Sequence, residues 1–179
     1  MLFLDECDMI KEKGMDLTVE DRLYMQEALA LAQKAFDMGE VPVGCVVVRR
    51  GEIVGRGYNR REAGKNALFH AEVEAIGEAC RTLGGWRLWE CTLYVTLEPC
   101  PMCAGAILQA RIPRVVYGAR DSKFGACGSV CDLFSMNFHH HPQLEGGLME
   151  EESARLLRQF FQELRVTLRT RPKWRPRRE

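Results

Sequence analysis

The spacing of apolar residues divides this chain into alternating helices and strands. Thr18-x-x-Asp21 has the form of a capping box. Tyr24, Ala28, Leu31 and Ala35 then recur at helical spacing until Gly39, a natural helix stop. Residues 43–48, Val-Gly-Cys-Val-Val-Val, form a short β-branched run that predicts a strand. A turn at 49–52 leads into a second strand over 53–58, and the two predict an antiparallel hairpin. After a polar loop at 59–68, a helix is predicted over 69–83, with Val73, Ile76, Cys80 and Leu83 on its buried face and Gly84-Gly85 ending it. Residues 92–96 predict a third strand. Pro99 suits a helix start, and a helix over 100–110 follows, with Ala104, Gly105 and Ala106 permitting close packing. Residues 114–117 predict a fourth strand and 118–130 a loop. The stretch 131–147 is expected to hold a short helix and then an irregular strand near Leu144. Over 150–168 the stripe Leu156, Leu157, Phe160, Phe161, Leu164 and Leu168 predicts a final helix. The order α-β-β-α-β-α-β-(β)-α implies a mixed sheet covered by helices on both faces, an α/β class, three-layer α/β/α sandwich.

Composition narrows the setting. A chain of 179 residues suits one domain with a full core. We expect one folded domain at 18–168, preceded by an acidic extension (1–17) and followed by a basic tail (169–179). The formal net charge is zero, yet the ends are opposite in sign, and a basic end can approach a polyanion even in a neutral protein. No apolar run reaches membrane-spanning length, and the start, Met-Leu-Phe-Leu-Asp-Glu, lacks the form of a signal peptide. A cytoplasmic protein is therefore expected, without a membrane partner, whose eight cysteines are thiols or metal ligands.

Candidate chemistry gathers in two short patterns. His70-Ala71-Glu72 is followed about thirty residues later by Pro99-Cys100-Pro101-Met102-Cys103. Alone, Cys100-x-x-Cys103 fits a redox pair or half of a structural zinc site, and His70 fits an ordinary helix-start histidine. Together, one imidazole and two thiolates give three ligands for a Zn2+ ion, one per subunit, with the fourth tetrahedral position open, as in catalytic sites. Both cysteines fall at a predicted helix N-terminus, which favours the thiolate. Glu72 is not needed as a ligand and stands where a carboxylate can handle protons beside a zinc-activated water. This order, H-x-E…P-C-x-x-C, is the signature of zinc nucleobase deaminases. Cys45 and Cys80 read as core residues, Cys127-x-x-x-Cys131 lacks partner spacing for a second metal site, and His139-His140-His141 reads as loop.

Beyond the signature, the segments 40–44, 58–60, 93–106 and 116–121 and the pair Gly128-Ser129 resemble the bacterial tRNA adenosine deaminases, over roughly residues 20–168. The resemblance implies a cytidine-deaminase-like fold, a homodimer, and conversion of the wobble adenosine of tRNA to inosine, with a tRNA anticodon stem-loop as partner. Carried over by position, it implies that His70, Cys100 and Cys103 bind zinc and that Glu72 is catalytic. Asn59 would hydrogen-bond the flipped purine, with Val41, Pro42 and Ala71 lining its pocket. Arg120, Asp121 and Lys123 would face the anticodon loop, as would Phe161 and Arg165 on the last helix; Phe161 also fits a core position on its apolar stripe. Ala67-Leu68-Phe69 departs from the Pro-Thr-Ala-like approach to the histidine found in many members, which alters packing but removes no reacting group. The same metal chemistry would serve a free-base deaminase acting on guanine or cytosine. A third reading, a non-catalytic tRNA-binding subunit, would leave Glu72 without a purpose.

Overall fold

The computed structural model describes residues 9–10 and 17–170. The predicted capping box is formed: Asp21 N–H donates to Thr18 Oγ at 3.1 Å and Thr18 N–H donates to Asp21 Oδ2 at 2.8 Å. It opens α1 (Val19–Asp37), just after a small ladder of β1 (Met9–Ile10) and β2 (Leu17–Thr18). The predicted hairpin is β3 (Gly44–Arg49) and β4 (Glu52–Tyr58). Its two-residue turn needs positive φ at both positions, supplied by Arg50 at 51° and Gly51 at 82°. Then come α2 (Ala71–Leu83), β5 (Cys91–Leu97), α3 (Pro101–Ala110), β6 (Arg114–Ala119), β7 (Gln143–Gly146) and α4 (Glu150–Thr170).

The five longer strands form one sheet in the order β4-β3-β5-β6-β7. β3 is antiparallel to both neighbours, whereas β5, β6 and β7 run parallel. Strand alternation sends successive side chains to opposite faces. Val46, Val48, Tyr94 and Val116 meet Met25 and Ala28 of α1, while Cys45, Val47, Leu93, Val95 and Val115 meet α2 and α3. The result is the expected three-layer sandwich around a mixed sheet.

Two expectations change. The buried face of α2 is Ala71, Glu72, Ala75, Ile76 and Ala79; Val73, Cys80 and Leu83 are only half-buried. The alanines face Gly55 and Gly57 of β4, where any Cβ would overlap the Ala75 and Ala71 carbonyl oxygens. Helix and strand thus approach closely through small residues, a pairing that apolar periodicity does not reveal. The short helix expected in 131–147 is replaced by turns before β7, with Asp132 Oδ1 accepting from the N–H groups of Phe134 and Ser135 at 3.0 and 3.2 Å. Such side-chain turns compete with helix formation. β7 itself lies where a strand was expected and pairs regularly with β6.

At the outer edge of the sheet, Arg56 N–H on β4 donates to Glu78 Oε2 of α2 at 2.9 Å. At the end opposite the β5 carboxyl terminus, Arg114 joins Asp21 and Glu145. No described helix is long and apolar enough to cross a membrane. The acidic extension is described only at Met9–Ile10 and Leu17, and the tail from Arg171 onward lies outside the described residues.

Candidate active site

The site lies at the carboxyl end of β5, the usual place for ligands on sheets with parallel strands. Two helices start there. His70 is the N-cap of α2 and Cys100 the N-cap of α3, both in extended backbone, with Pro101 in the first turn of α3. The helix over 69–83 therefore begins one residue after the histidine. Cys103 sits within the first turn of α3, so one short helix start delivers both thiols.

His70 Nδ1 lies 3.7 Å from Cys100 Sγ and 3.6 Å from Cys103 Sγ. All three ligand atoms lie within 4.8 Å of one another. A tetrahedral zinc at its ordinary bond lengths requires about 3.6 Å between a nitrogen and a sulfur ligand, so this donor set fits zinc in both chemistry and spacing. Among the described residues this is the one His, Cys, Asp and Glu group so arranged. Hydrogen bonding from Cys103, and then from His70, holds the Cys100 thiol down to about 4. The bond to Cys100, together with burial, pushes Cys103 up.

Glu72, two residues into the α2 sequence from His70, is 4% exposed. Burial, supported by the negative charge of Cys100, pushes its carboxyl up to about 7. A carboxyl poised near neutrality can both take and give a proton at working pH.

Backbone hydrogen bonds bring Asn59, the Val41-Pro42 segment and the loop after β6 to the same end of the sheet. Asn59, just past β4 and 8% exposed, donates its N–H to Val43 O at 3.0 Å. That bond places it beside the segment holding Val41, half-buried, and Pro42, buried. Ala71 is buried at the start of α2. Arg120 and Lys123 are exposed and Asp121 half-buried on the loop after β6. Ala126 N–H of that loop donates to Pro99 O at 2.8 Å, next to the Cys100 ligand. Phe161, at 41% exposure, is not core, and Arg165 is exposed too. The stripe of α4 is buried only at Phe160, whose ring meets Phe36 at the end of α1 at 5.8 Å.

Sequence reading missed two buried carboxylates. Glu40 accepts from Asn59 Nδ2 at 3.2 Å and from the N–H groups of Glu62 and Ala63 at 3.3 and 2.6 Å. Glu98 accepts from the N–H groups of Asp121, Cys127 and Ser129 at 3.1, 3.0 and 3.0 Å, and from the Ser129 hydroxyl. Burial pushes Glu98 up, but the Ser129 hydroxyl and these N–H groups outweigh it and hold the carboxyl below its ordinary value. The available signal was a glutamate directly beside apolar pocket or ligand segments, Gly39-Glu40-Val41 and Leu97-Glu98-Pro99. The remaining suspects are structural: His140 and His141 contact the carbonyls of Ile112 and Phe134, while Cys45 is buried in the core.

A sandwich with a His-Cys-Cys triangle at the strand ends and a buried carboxylate beside it defines a zinc-dependent deaminase. Residues 18–119 match the cytidine and deoxycytidylate deaminase zinc-binding region. The tRNA-specific adenosine deaminase of Bacillus subtilis (strain 168) is 49% identical over 147 residues, which cover 82% of this chain and 91% of that one. A solved tRNA:A34 deaminase, described in work on A-to-I editing at the wobble position, superposes with a TM-score of 0.74. It is 46% identical, with 75% of this chain and 99% of that chain covered. The guanine deaminase of Nitrosomonas europaea, 22% identical with a TM-score of 0.64, over 78% of this chain and 83% of that chain, shares the fold. The chain belongs to the tRNA-specific adenosine deaminases of the cytidine and deoxycytidylate deaminase family.

Proposed function

We propose that this chain hydrolytically deaminates the wobble adenosine of tRNA, position 34, to inosine, releasing ammonia. The observation that carries the reading is the triangle of His70 Nδ1 with the two sulfurs, at 3.6 and 3.7 Å, beside buried Glu72. The kinship with tRNA deaminases selects the substrate. When bound by His70, Cys100 and Cys103, zinc supplies the Lewis acidity that makes a water nucleophilic near neutral pH. Glu72 takes a proton from the attacking water and delivers one to the ring nitrogen beside the amino-bearing carbon. It then takes the remaining proton from the added hydroxyl and passes it to the amino group, which leaves as ammonia while the inosine carbonyl forms.

Such enzymes must admit an unstacked nucleotide and hold its neighbours. In this reading Asn59, Val41, Pro42 and Ala71 receive the base, while Arg120, Asp121, Lys123, Phe161 and Arg165 grip the anticodon loop. The exposure of Arg120, Lys123, Phe161 and Arg165 supports that assignment. The domain extends over 18–168, flanked by the acidic extension and the basic tail, and acts as a cytoplasmic homodimer. The outward positions of α3 support self-association: Pro101, Met102, Gly105, Ala106 and Gln109 are wholly or partly exposed, and the helix has no charged residue.

The test is deamination of an anticodon stem-loop with an ACG anticodon, read as inosine by sequencing. Activity should fall as salt rises, because phosphate contacts release counterions. Free adenine, guanine and adenosine should react far more slowly. An inert stem-loop together with efficient deamination of free guanine would overturn the reading in favour of a free-base enzyme.

A further inference from the structure

Glu40 has its hydrogen-bond donors on Asn59, Glu62 and Ala63, not on the zinc ligands or the proton shuttle, yet it is 2% exposed and among the largest fully buried side chains. A carboxylate in such a place is stable only with its lone pairs filled. The two backbone donors, from Glu62 and Ala63, close the turn after β4, where Gly64 N–H also returns to Arg60 O at 2.8 Å. The third donor is the side-chain amide of Asn59.

This last bond has a directional consequence. An asparagine amide has a donor end and an acceptor end of nearly the same shape, and a carboxylate can only accept. Glu40 therefore permits one orientation of Asn59: Nδ2 toward Glu40 and Oδ1 away from it. The reversed amide would set two oxygens against each other in a buried site, a costly arrangement. The Asn59 backbone is fixed separately by its bond to Val43 O, so the side-chain orientation is the freedom that Glu40 removes.

We infer that Glu40 is a positioning residue for substrate recognition: it fixes which end of the Asn59 amide is presented to the bound base. The inference rests on the reading in which Asn59 contacts the flipped purine. With Glu40 replaced by an amide, which offers both donor and acceptor, Asn59 would be free to turn over. The short bond from Ala63 N–H would keep the glutamine oxygen and leave its NH2 facing Asn59, so most of the enzyme would then present the wrong end.

The experiment is a double-mutant cycle on the zinc-loaded full chain, with kcat/KM measured on the ACG stem-loop and zinc content and thermal unfolding followed in parallel. Asn59→Ala should lower kcat/KM. Glu40→Gln should lower it by about 10- to 100-fold, the scale of a hydrogen bond to a charged group. In the Asn59→Ala background, Glu40→Gln should have almost no further effect. Additive losses would make Glu40 a general support of the fold and overturn the inference while leaving the tRNA reading intact. An unchanged kcat/KM in Asn59→Ala would instead remove Asn59 from the site, and the inference with it. Because Glu40→Gln can fail to fold, a second measurement uses the wild-type protein. One Asn59 Nδ2 proton should exchange slowly with solvent in NMR spectra, its signal identified by its absence in Asn59→Asp. Rapid exchange of both protons would also overturn the inference.

Discussion

Arg114 on β6 grips Asp21 in the first turn of α1 with both guanidinium ends, Nη1 to Oδ1 at 2.6 Å and Nη2 to Oδ2 at 3.1 Å. Its Nε holds Glu145 of β7 at 2.9 Å, and Tyr94 OH of β5 donates to the same Asp21 oxygen at 2.6 Å. One arginine thus ties a helix to three neighbouring strands at the end of the sheet remote from zinc. Removing one partner of a buried ion pair leaves the others uncompensated. Arg114→Leu should destabilise the fold by about 3 kcal/mol, measured by urea unfolding, whereas a change of less than about 0.5 kcal/mol would show the network to be incidental.

The same network predicts an acid-sensitive term. Burial pushes the Asp21 carboxyl up, but the hydrogen bonds from Arg114, Tyr94 and Thr18 outweigh it and bring it from 3.8 to about 2. A carboxyl lowered in the folded state stabilises above its unfolded value and loses that contribution as pH falls. Wild type should exceed Asp21→Asn in stability at pH 6, and most of the linkage part of that margin, about 2 kcal/mol, should be lost between pH 4 and 2. A margin independent of pH over that interval would contradict the assignment.

Metal and proton transfer should separate by mutation. Elemental analysis should find one equivalent of zinc in the wild type, and Cys103→Ala or His70→Ala should lose it together with activity. Glu72→Gln should keep zinc and RNA binding while kcat falls at least about 100-fold. Near-normal turnover in Glu72→Gln would remove the carboxylate from its role.

Loop order next to the cysteines should depend on Glu98. Glu98→Ala strands the N–H groups of Asp121, Cys127 and Ser129, each worth roughly 1 kcal/mol or more when left unpaired. Amide exchange at Cys127 and Ser129 should accelerate, and stem-loop KM should rise more than kcat falls. Unchanged exchange at both amides would show that the loop is held by other contacts.

Two glycine-to-alanine changes should have opposite signs. At Gly57 the new methyl would overlap the Ala71 carbonyl oxygen at the start of α2, so Gly57→Ala should destabilise the fold and weaken zinc retention by displacing His70. At Gly77, inside α2, it would meet only Arg81 Nη1 at 3.5 Å, an ordinary contact. Gly77→Ala should stabilise by about 0.5–1 kcal/mol, seen as a rise in Tm. A fall in Tm for Gly77→Ala would contradict this account of the helix.

What the sequence disclosed was local. Thr18-x-x-Asp21, the Arg50-Gly51 turn, and the two short zinc patterns each carry their meaning within a few residues, and each has the expected conformation. What it concealed was remote pairing. Glu40 finds its donors 19 to 23 residues away, Glu98 finds its own 23 to 31 away, and Asp21 lies 93 residues from Arg114. In one dimension Asp21 is only a capping residue, and Glu98 only a charge between Leu97 and Pro99. The alanine face of α2 was hidden because the glycines that receive it belong to another element. Phe161 and Leu164 follow the periodicity of a buried stripe, yet both are exposed.

The bond from Arg56 to Glu78 bears on how this protein behaves when crowded. An open strand edge is a template on which a second chain can add its own strand, the first step of intermolecular β aggregation. On β4 the outward N–H of Arg56 is already satisfied by the helix lying over it. At the other edge, β7 is only four residues long. The glutamate closes the middle of the longer edge to recruitment, so the sheet that presents the deaminase site can stay finite at high concentration.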